Sequence, residues 1–245
     1  EGKGAWHPQA PSAVPYLSGW PAPDPMNNDD LSRVKKAFVD ATLHADRAGF
    51  DTIQIHMAHG YLLHQFLSPI TNRRSDQYGG DLNSRMRYPL EVFEAVRAAF
   101  PSEKPVMVRL SATDWIKGGW DIEQSIEFCR TLKNLGCDMI DVSSGGLDQA
   151  QQITTGPGYQ TDLSQRIRSE SGIATMTVGQ ITDPIQAETI LRTKQADMVA
   201  LARGMLWDPR WTWKAAVALD QEIELPAPYA RCNPKLSATP FVSRK

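Results

Sequence analysis

Long apolar runs are missing from this 245-residue chain. None reaches the roughly 18–20 residues needed to span a bilayer, which argues against a membrane protein. Cysteine is scarce. The three present, Cys129, Cys137 and Cys232, are odd in number and lack C-x-x-C spacing. That excludes a disulfide framework or an iron–sulfur site and fits a reducing cytoplasm. Charge of one sign is not in excess: the net charge is −2 and the sequence pI 6.2. A footprint for nucleic acid or anionic lipid is therefore absent. The N-terminus is polar and rich in Pro and Gly, so no signal peptide is expected. No G-x-G-x-x-G follows an apolar run, and no H-E-x-x-H occurs. What remains is ordinary: 41% hydrophobic and 22% charged residues, as in a soluble globular protein of one large or two small domains.

The chain divides into three stretches. Residues 1–30 hold six prolines and three glycines, which predicts an irregular N-terminal segment. From residue 31 to 224, helical and apolar patterns alternate. Asp30 is the expected cap of a helix over LSRVKKAFVDATLHADRAG, ended by Gly49. TIQIH (52–56) reads as a strand, LLHQFL as a short apolar turn and SPITNRRSDQYGGDLNSR as a polar loop tied together by Asn72, Arg73, Arg74, Asp76 and Tyr78. A helix follows to about Phe100, and Pro89 inside it should kink it or reset its start. Further strands are expected at 105–111, 138–146, 173–179 and 196–204. Helices begin after the caps Asp121 and Asp183, over DLSQRIRSESG, and over WTWKAAVALD, a last helix that Trp207, Trp211 and Trp213 should pack on the barrel. Residues 225–245 form a Pro-rich tail.

Strict alternation of this kind implies a parallel sheet with right-handed crossovers. The strands read as continuous apolar runs, so both faces should be buried. A TIM (β/α)8 barrel accounts for this better than an open sheet. Polar residues fall at the C-terminal strand ends, the catalytic face of such a barrel. Five strands are legible where a closed barrel has eight.

The stretch IQIHMAHGY (53–61) places His56 and His59 at the end of an apolar run. By themselves two such imidazoles are open to three readings: packed core rings, a shared metal, or hydrogen-bond donors to a substrate. No glutamate, cysteine or third histidine is well placed to complete a metal site.

The string HMAHGYLLHQFLSPITNRRSDQYGG (56–80) settles the choice by resemblance. With VRLSATD (108–114), DVSSGG (141–146), TVGQIT (177–182), ALARGMLWDP (200–209) and PAPYAR (226–231), it resembles the old yellow enzyme family of FMN-dependent ene-reductases, in the thermophilic-like branch that includes xenobiotic reductases. The likeness covers roughly residues 30–231. It implies a TIM barrel with FMN at its C-terminal face, of which this chain carries about the last five βα units. The family's first three are not in the sequence. It implies hydride transfer from NADPH or NADH, through the flavin, to the β-carbon of a small activated alkene such as an enone, maleimide or nitroalkene. His56 and His59 match the residues that polarise the substrate, and Tyr61 the proton donor. Arg109 matches the arginine at the flavin's pyrimidine edge. Gly179, Gln180, Ala202 and Arg203 match the phosphate site, although many relatives have glycine where Ala202 stands. Ser144 and Gly145, beside Ser143, either line the flavin edge or serve a turn. Tyr229 and Arg231 match a tail that reaches a neighbour's substrate pocket, which implies a homo-oligomer, dimer or tetramer. The alternative is a truncated or split barrel that needs a partner chain to supply the missing strands and is not an enzyme alone.

Overall fold

The computed structural model describes residues 7–229 and Cys232. Five parallel strands form one sheet in the order β3-β4-β5-β6-β7. They are β3 (Ile53–Met57), β4 (Val106–Ser111), β5 (Met139–Ser143), β6 (Ala174–Val178) and β7 (Met198–Ala200). Helices alternate with them: α1 (Asn28–Arg47), α2 (Leu62–Leu67), α3 (Leu82–Ala99), α4 (Ile122–Asn134), α5 (Thr161–Ser171), α6 (Pro184–Arg192), α7 (Arg203–Trp207) and α8 (Trp211–Ala218). This is the expected βα succession. Neighbours in sequence are neighbours in the sheet.

The core lies between the sheet and its helices. Ile55, Met57, Val106, Val108, Leu110, Ile140 and Val142 point from alternate strand positions into that layer. There they meet Phe66, Tyr88, Phe93, Trp120 and Phe128. Burying each such aliphatic or aromatic side chain contributes about 1.5–3 kcal/mol. The other set of alternate positions does not match the expectation of two buried faces. It carries Gln54, His56, Met107, Arg109, Met139, Met176 and Met198, all exposed or half-buried, with Asp141 and Ser143 buried among them. Among the described residues the helices cover one face. The continuous apolar runs come from methionines on the second face rather than from a second helical layer.

Local differences from the sequence reading have local causes. The N-terminal segment does contain regular structure: β1 (Gln9–Ala10) pairs in parallel with β2 (Asp24–Pro25). Pro25 needs no N–H in so short a pair. The cap of α1 is Asn27. Its side chain accepts from the Asp30 amide while Asp30 reaches back to the Asn27 N–H, so Asp30 is the third residue of a capping box. LLHQFL is a helix, because Leu63, His64, Phe66 and Leu67 all bury. Helix α3 starts at its Asp81 cap and continues through Pro89. Its buried residues Met86, Tyr88, Val92, Phe93 and Val96 outweigh the one hydrogen bond that Pro89 removes. Strand β7 stops at Ala200, and Arg203 opens α7 instead of ending a strand. Trp211 donates Nε1–H to the Thr182 carbonyl, but Trp207 on α7 is 92% exposed.

The long polar loop is held as expected. Asn72 Nδ2 donates to the carbonyls of Phe66 and Tyr78, each at 2.7 Å. Arg74 grips Asp76 and donates to the carbonyls of Pro11 and Met26, which ties the N-terminal segment to this loop. No helix among the described residues is long and apolar enough to cross a membrane.

Candidate active site

The parallel register sets a polar row across the open face. His56 of β3 stands opposite Arg109 of β4, and Arg109 opposite Asp141 of β5. Arg109 Nε lies 3.3 Å from Asp141 Oδ2. Among the described residues neither Arg109 Nε nor Asp141 Oδ1 has a hydrogen-bond partner, although both atoms are buried. Burial raises the Asp141 carboxyl, and the Arg109 guanidinium counters it.

After β3 the chain turns sharply through Ala58, His59, Gly60 and Tyr61. His59 has φ +57° and Gly60 φ +75°. The turn is packed face to face with the turn that follows β5. A Cβ on Gly60 would meet the Gly146 carbonyl oxygen at 2.6 Å, and one on Gly146 would meet His59 Cα at 2.7 Å. Both positions therefore require glycine, for want of space as well as for positive φ. Ser111 joins the two turns: its Oγ accepts from the His59 amide at 3.0 Å and donates to the Gly145 carbonyl at 2.8 Å.

The three expected catalytic side chains meet here. The His56 and His59 rings lie 5.3 Å apart by centroid, and Tyr61 stands edge-on to His56 at 5.1 Å. Burial, then the Arg109 cation, pushes the His59 imidazole down to about 4. His56 is lowered for the same two reasons in the same order. Each ring is thus neutral near pH 7 and holds a single N–H. His59 Nε2 is 2.7 Å from Ser143 Oγ. Tyr61 is 64% exposed.

A cavity of about 490 Å³ opens beside this cluster and is bounded by Arg109, Ser143, Gly179, Gln180, Ala202 and Arg203. Four of the expected phosphate residues are therefore brought together with Arg109. Gly179 has φ +136°, and a Cβ there would press on the Tyr159 ring at 2.9 Å. Gln180, at φ +52°, extends the strained turn. Arg203 is exposed and makes no ion pair among the described residues. A guanidinium with no ion pair among the described residues, a glycine turn beside it and a buried guanidinium N–H with no partner among those residues suit a phosphorylated, planar, hydrogen-bonding cofactor.

Other expected residues are placed elsewhere. Ser144 is buried and donates to Gln160 Oε1 at 2.6 Å, and the Gly145 amide donates to the Thr113 carbonyl. Neither is among the residues that bound this cavity. Tyr229 ends a 3-10 turn, packs edge-on against Trp213 at 5.4 Å and lies under the Arg210 guanidinium. Arg231 lies outside the described residues. The sequence reading missed Tyr159 and Gln160. They line the cavity, and Gln160 braces it by donating to the Val178 carbonyl. Only their place between two βα turns could have drawn notice. Among the described residues no three His, Cys, Asp or Glu side chains gather as metal ligands would.

Residues 6–222 match the model of the NADH:flavin oxidoreductase / NADH oxidase family. An NADPH dehydrogenase from Geobacillus thermodenitrificans (strain NG80-2) is 42% identical over 222 residues, covering 91% of this chain and 64% of that protein. The solved structure of morphinone reductase aligns with a TM-score of 0.72 at 26% identity, over 98% of this chain and 64% of that one. An old yellow enzyme homologue from Zymomonas mobilis gives a TM-score of 0.72 at 27% identity, over 94% of this chain and 66% of its own. This chain thus spans just under two thirds of the length of each.

Proposed function

Because this chain belongs to the NADH:flavin oxidoreductase / NADH oxidase family, and the likeness to old yellow enzymes read from its sequence is borne out, we propose that it carries the substrate site of an FMN-dependent ene-reductase supplied by NADPH or NADH. The observation that carries this reading is the gathering of two neutral imidazoles and a phenol at one strand end, next to a cavity walled by Arg109, Gly179, Gln180 and Arg203.

When bound, FMN would supply the redox chemistry, a hydride from the nicotinamide made available for the β-carbon of an enone, maleimide or nitroalkene. Arg203 and the Gly179–Gln180 turn would hold its phosphate, and Arg109 its pyrimidine edge. His56 and His59 donate their N–H groups to the substrate's carbonyl or nitro oxygen, where negative charge gathers as the β-carbon is attacked. Donors fixed before the reaction stabilise that charge without reorganising, at about 2.7–4 kcal/mol each. The low basicity of both rings keeps them as donors that do not surrender a proton outright. For His59 to donate from Nδ1–H, Ser143 Oγ–H must donate to Nε2 at 2.7 Å in preference to Gln160 Oε1 at 3.4 Å. Tyr61 gives its proton to the α-carbon. A phenol hydroxyl can deliver its proton to a carbanion-like centre as general acid. Its exposure lets solvent reprotonate it. In a homo-oligomer, Tyr229 and Arg231 would lie near a neighbour's pocket.

A second reading is favoured by the sheet edges. Among the described residues β3 and β7 each have one neighbour. Met198, Leu206 and Trp207 beside β7 are 50%, 83% and 92% exposed. On this reading a partner chain supplies the further strands and the isolated chain is not an enzyme. Titrating the full chain with FMN, adding NADPH without oxygen and then an enone distinguishes the two. Flavin that binds, bleaches and recolours supports the ene-reductase. A chain that leaves FMN free until a partner is added supports the second reading, and bound flavin that bleaches but never passes hydride to an enone overturns the first.

A further inference from the structure

Beneath the catalytic turn lies a fully buried histidine that the mechanism above does not use. His64, on α2, has no solvent exposure. Its Nδ1 accepts the Gly60 N–H at 3.0 Å. A ring nitrogen that accepts from an amide carries no proton, so the ring's hydrogen is on Nε2. From there it is donated to Asp114 Oδ1 at 2.9 Å. Asp114, equally buried, uses its other oxygen to accept from Ser68 Oγ–H at 2.6 Å and from the Trp120 N–H at 2.7 Å. Three donors therefore satisfy the buried carboxylate, and the carboxylate in turn fixes the tautomer of His64.

Gly60 is clamped on both sides. Its N–H belongs to the peptide that joins it to His59. Its C=O belongs to the peptide that joins it to Tyr61 and accepts from Gln65 Nε2 at 2.6 Å. The turn packs closely on the Gly145–Gly146 backbone, since a Cβ added at Gly60 would fall 2.6 Å from the Gly146 carbonyl oxygen. A residue at positive φ, such as His59, keeps that conformation only where its surroundings over-determine it.

We infer that His64, oriented by Asp114, is a positioning residue that holds the His59–Gly60–Tyr61 turn, and with it the donor and the proton source, in register with the substrate. The catalytic half of this inference rests on the proposed ene-reductase function. The clamp on Gly60 does not.

A ring that only fills space would be replaced well by Phe. An acceptor for Gly60 is replaced by Asn, whose Oδ1 sits where Nδ1 does but cannot reach Asp114. The two variants thus separate volume from hydrogen bonding. In the full flavin-loaded chain, His64→Phe is expected to slow alkene reduction roughly ten- to hundredfold, as small misplacements of reacting groups do. Flavin reduction by NADPH should change by less than about twofold, since the shift is confined to this turn. His64→Asn should restore most of the alkene rate despite the smaller side chain. Should His64→Phe fail to fold, His64→Gln takes its place, because its amide reaches Asp114 and leaves Gly60 without an acceptor. Amide exchange at Gly60 reads the clamp apart from turnover: slow in the parent and His64→Asn, fast in His64→Phe and His64→Gln. Wild-type alkene rates in His64→Phe, or equal losses in the Asn and Phe variants, would overturn the positioning role. Unchanged exchange at Gly60 in all of them would overturn the clamp. A parent chain that reduces no alkene refutes the proposed function instead, and exchange still decides the clamp.

Discussion

His59 Nε2 and Ser143 Oγ are 2.7 Å apart, although 84 positions separate them in the chain. A neutral imidazole has one N–H, and the neighbour of one nitrogen decides what the other offers. Ser143→Ala removes that neighbour and frees the ring to take either tautomer. The expected result is a two- to tenfold slower alkene reduction, since one neutral hydrogen bond is worth about 0.5–1.5 kcal/mol. Stopped-flow of the alkene half-reaction measures it. An unchanged rate would show that Ser143 does not choose the tautomer.

Tyr61→Phe keeps the ring against His56 and removes only the hydroxyl. Alkene reduction should fall by about 10²–10⁴, the usual worth of a general acid, while NADPH reduces the flavin at its former rate. Rapid-mixing traces of the two half-reactions, taken separately, decide the matter. Equal slowing of both would reject a proton-donor role.

The depressed basicity of His59 has a consequence for stability. Unfolded, the ring takes a proton near its ordinary value of 6.5; folded, only near about 4. Between those values the unfolded chain binds more protons than the folded one, so stability is full above about pH 6.5 and falls as the pH drops toward about 4. His59→Gln should flatten that decline. Urea midpoints at pH 7 and pH 5 for parent and variant give the comparison, and parallel declines would remove His59 as a cause.

Asn72 closes the polar loop from inside, with both amide hydrogens on buried carbonyls. Asn72→Ala leaves the Phe66 and Tyr78 carbonyls unpaired, at about 1–3 kcal/mol each. Thermal unfolding should show a loss on the order of 2–6 kcal/mol. A loss under about 1 kcal/mol would mean that water replaces the amide.

Much of this was legible in the sequence because it is local. Apolar runs such as VMVRLS and MIDVS marked strands, and Asp121 and Asp183 marked the caps they form. The Asn27–Asp30 box was misread by three residues, because either side chain can cap and only the backbone shows which one is extended. Pro89 does not reset the start of α3 because six other buried side chains of that helix hold it together. The strands' second face was misread because Met107, Met139 and Met176 look the same in sequence whether covered or not. At the site, the His56–His59–Tyr61 cluster lies within one turn and was visible as a string. The Ser143 contact, the Asp114 support under His64 and the Gln160 brace were not, since each joins residues that only the parallel register brings together.

The central claim is that His56 and His59 hold an oxygen that gains charge. A phenol that binds as its anion imitates that oxygen. Its dissociation constant, read from the absorbance of the flavin-loaded chain, tests the claim most directly in the parent, His56→Ala and His59→Ala. Each variant should bind it at least tenfold more weakly while keeping its flavin, as loss of a charge-assisted hydrogen bond of about 1.5–3 kcal/mol requires. Unchanged phenol affinity in the flavin-loaded variants would contradict it.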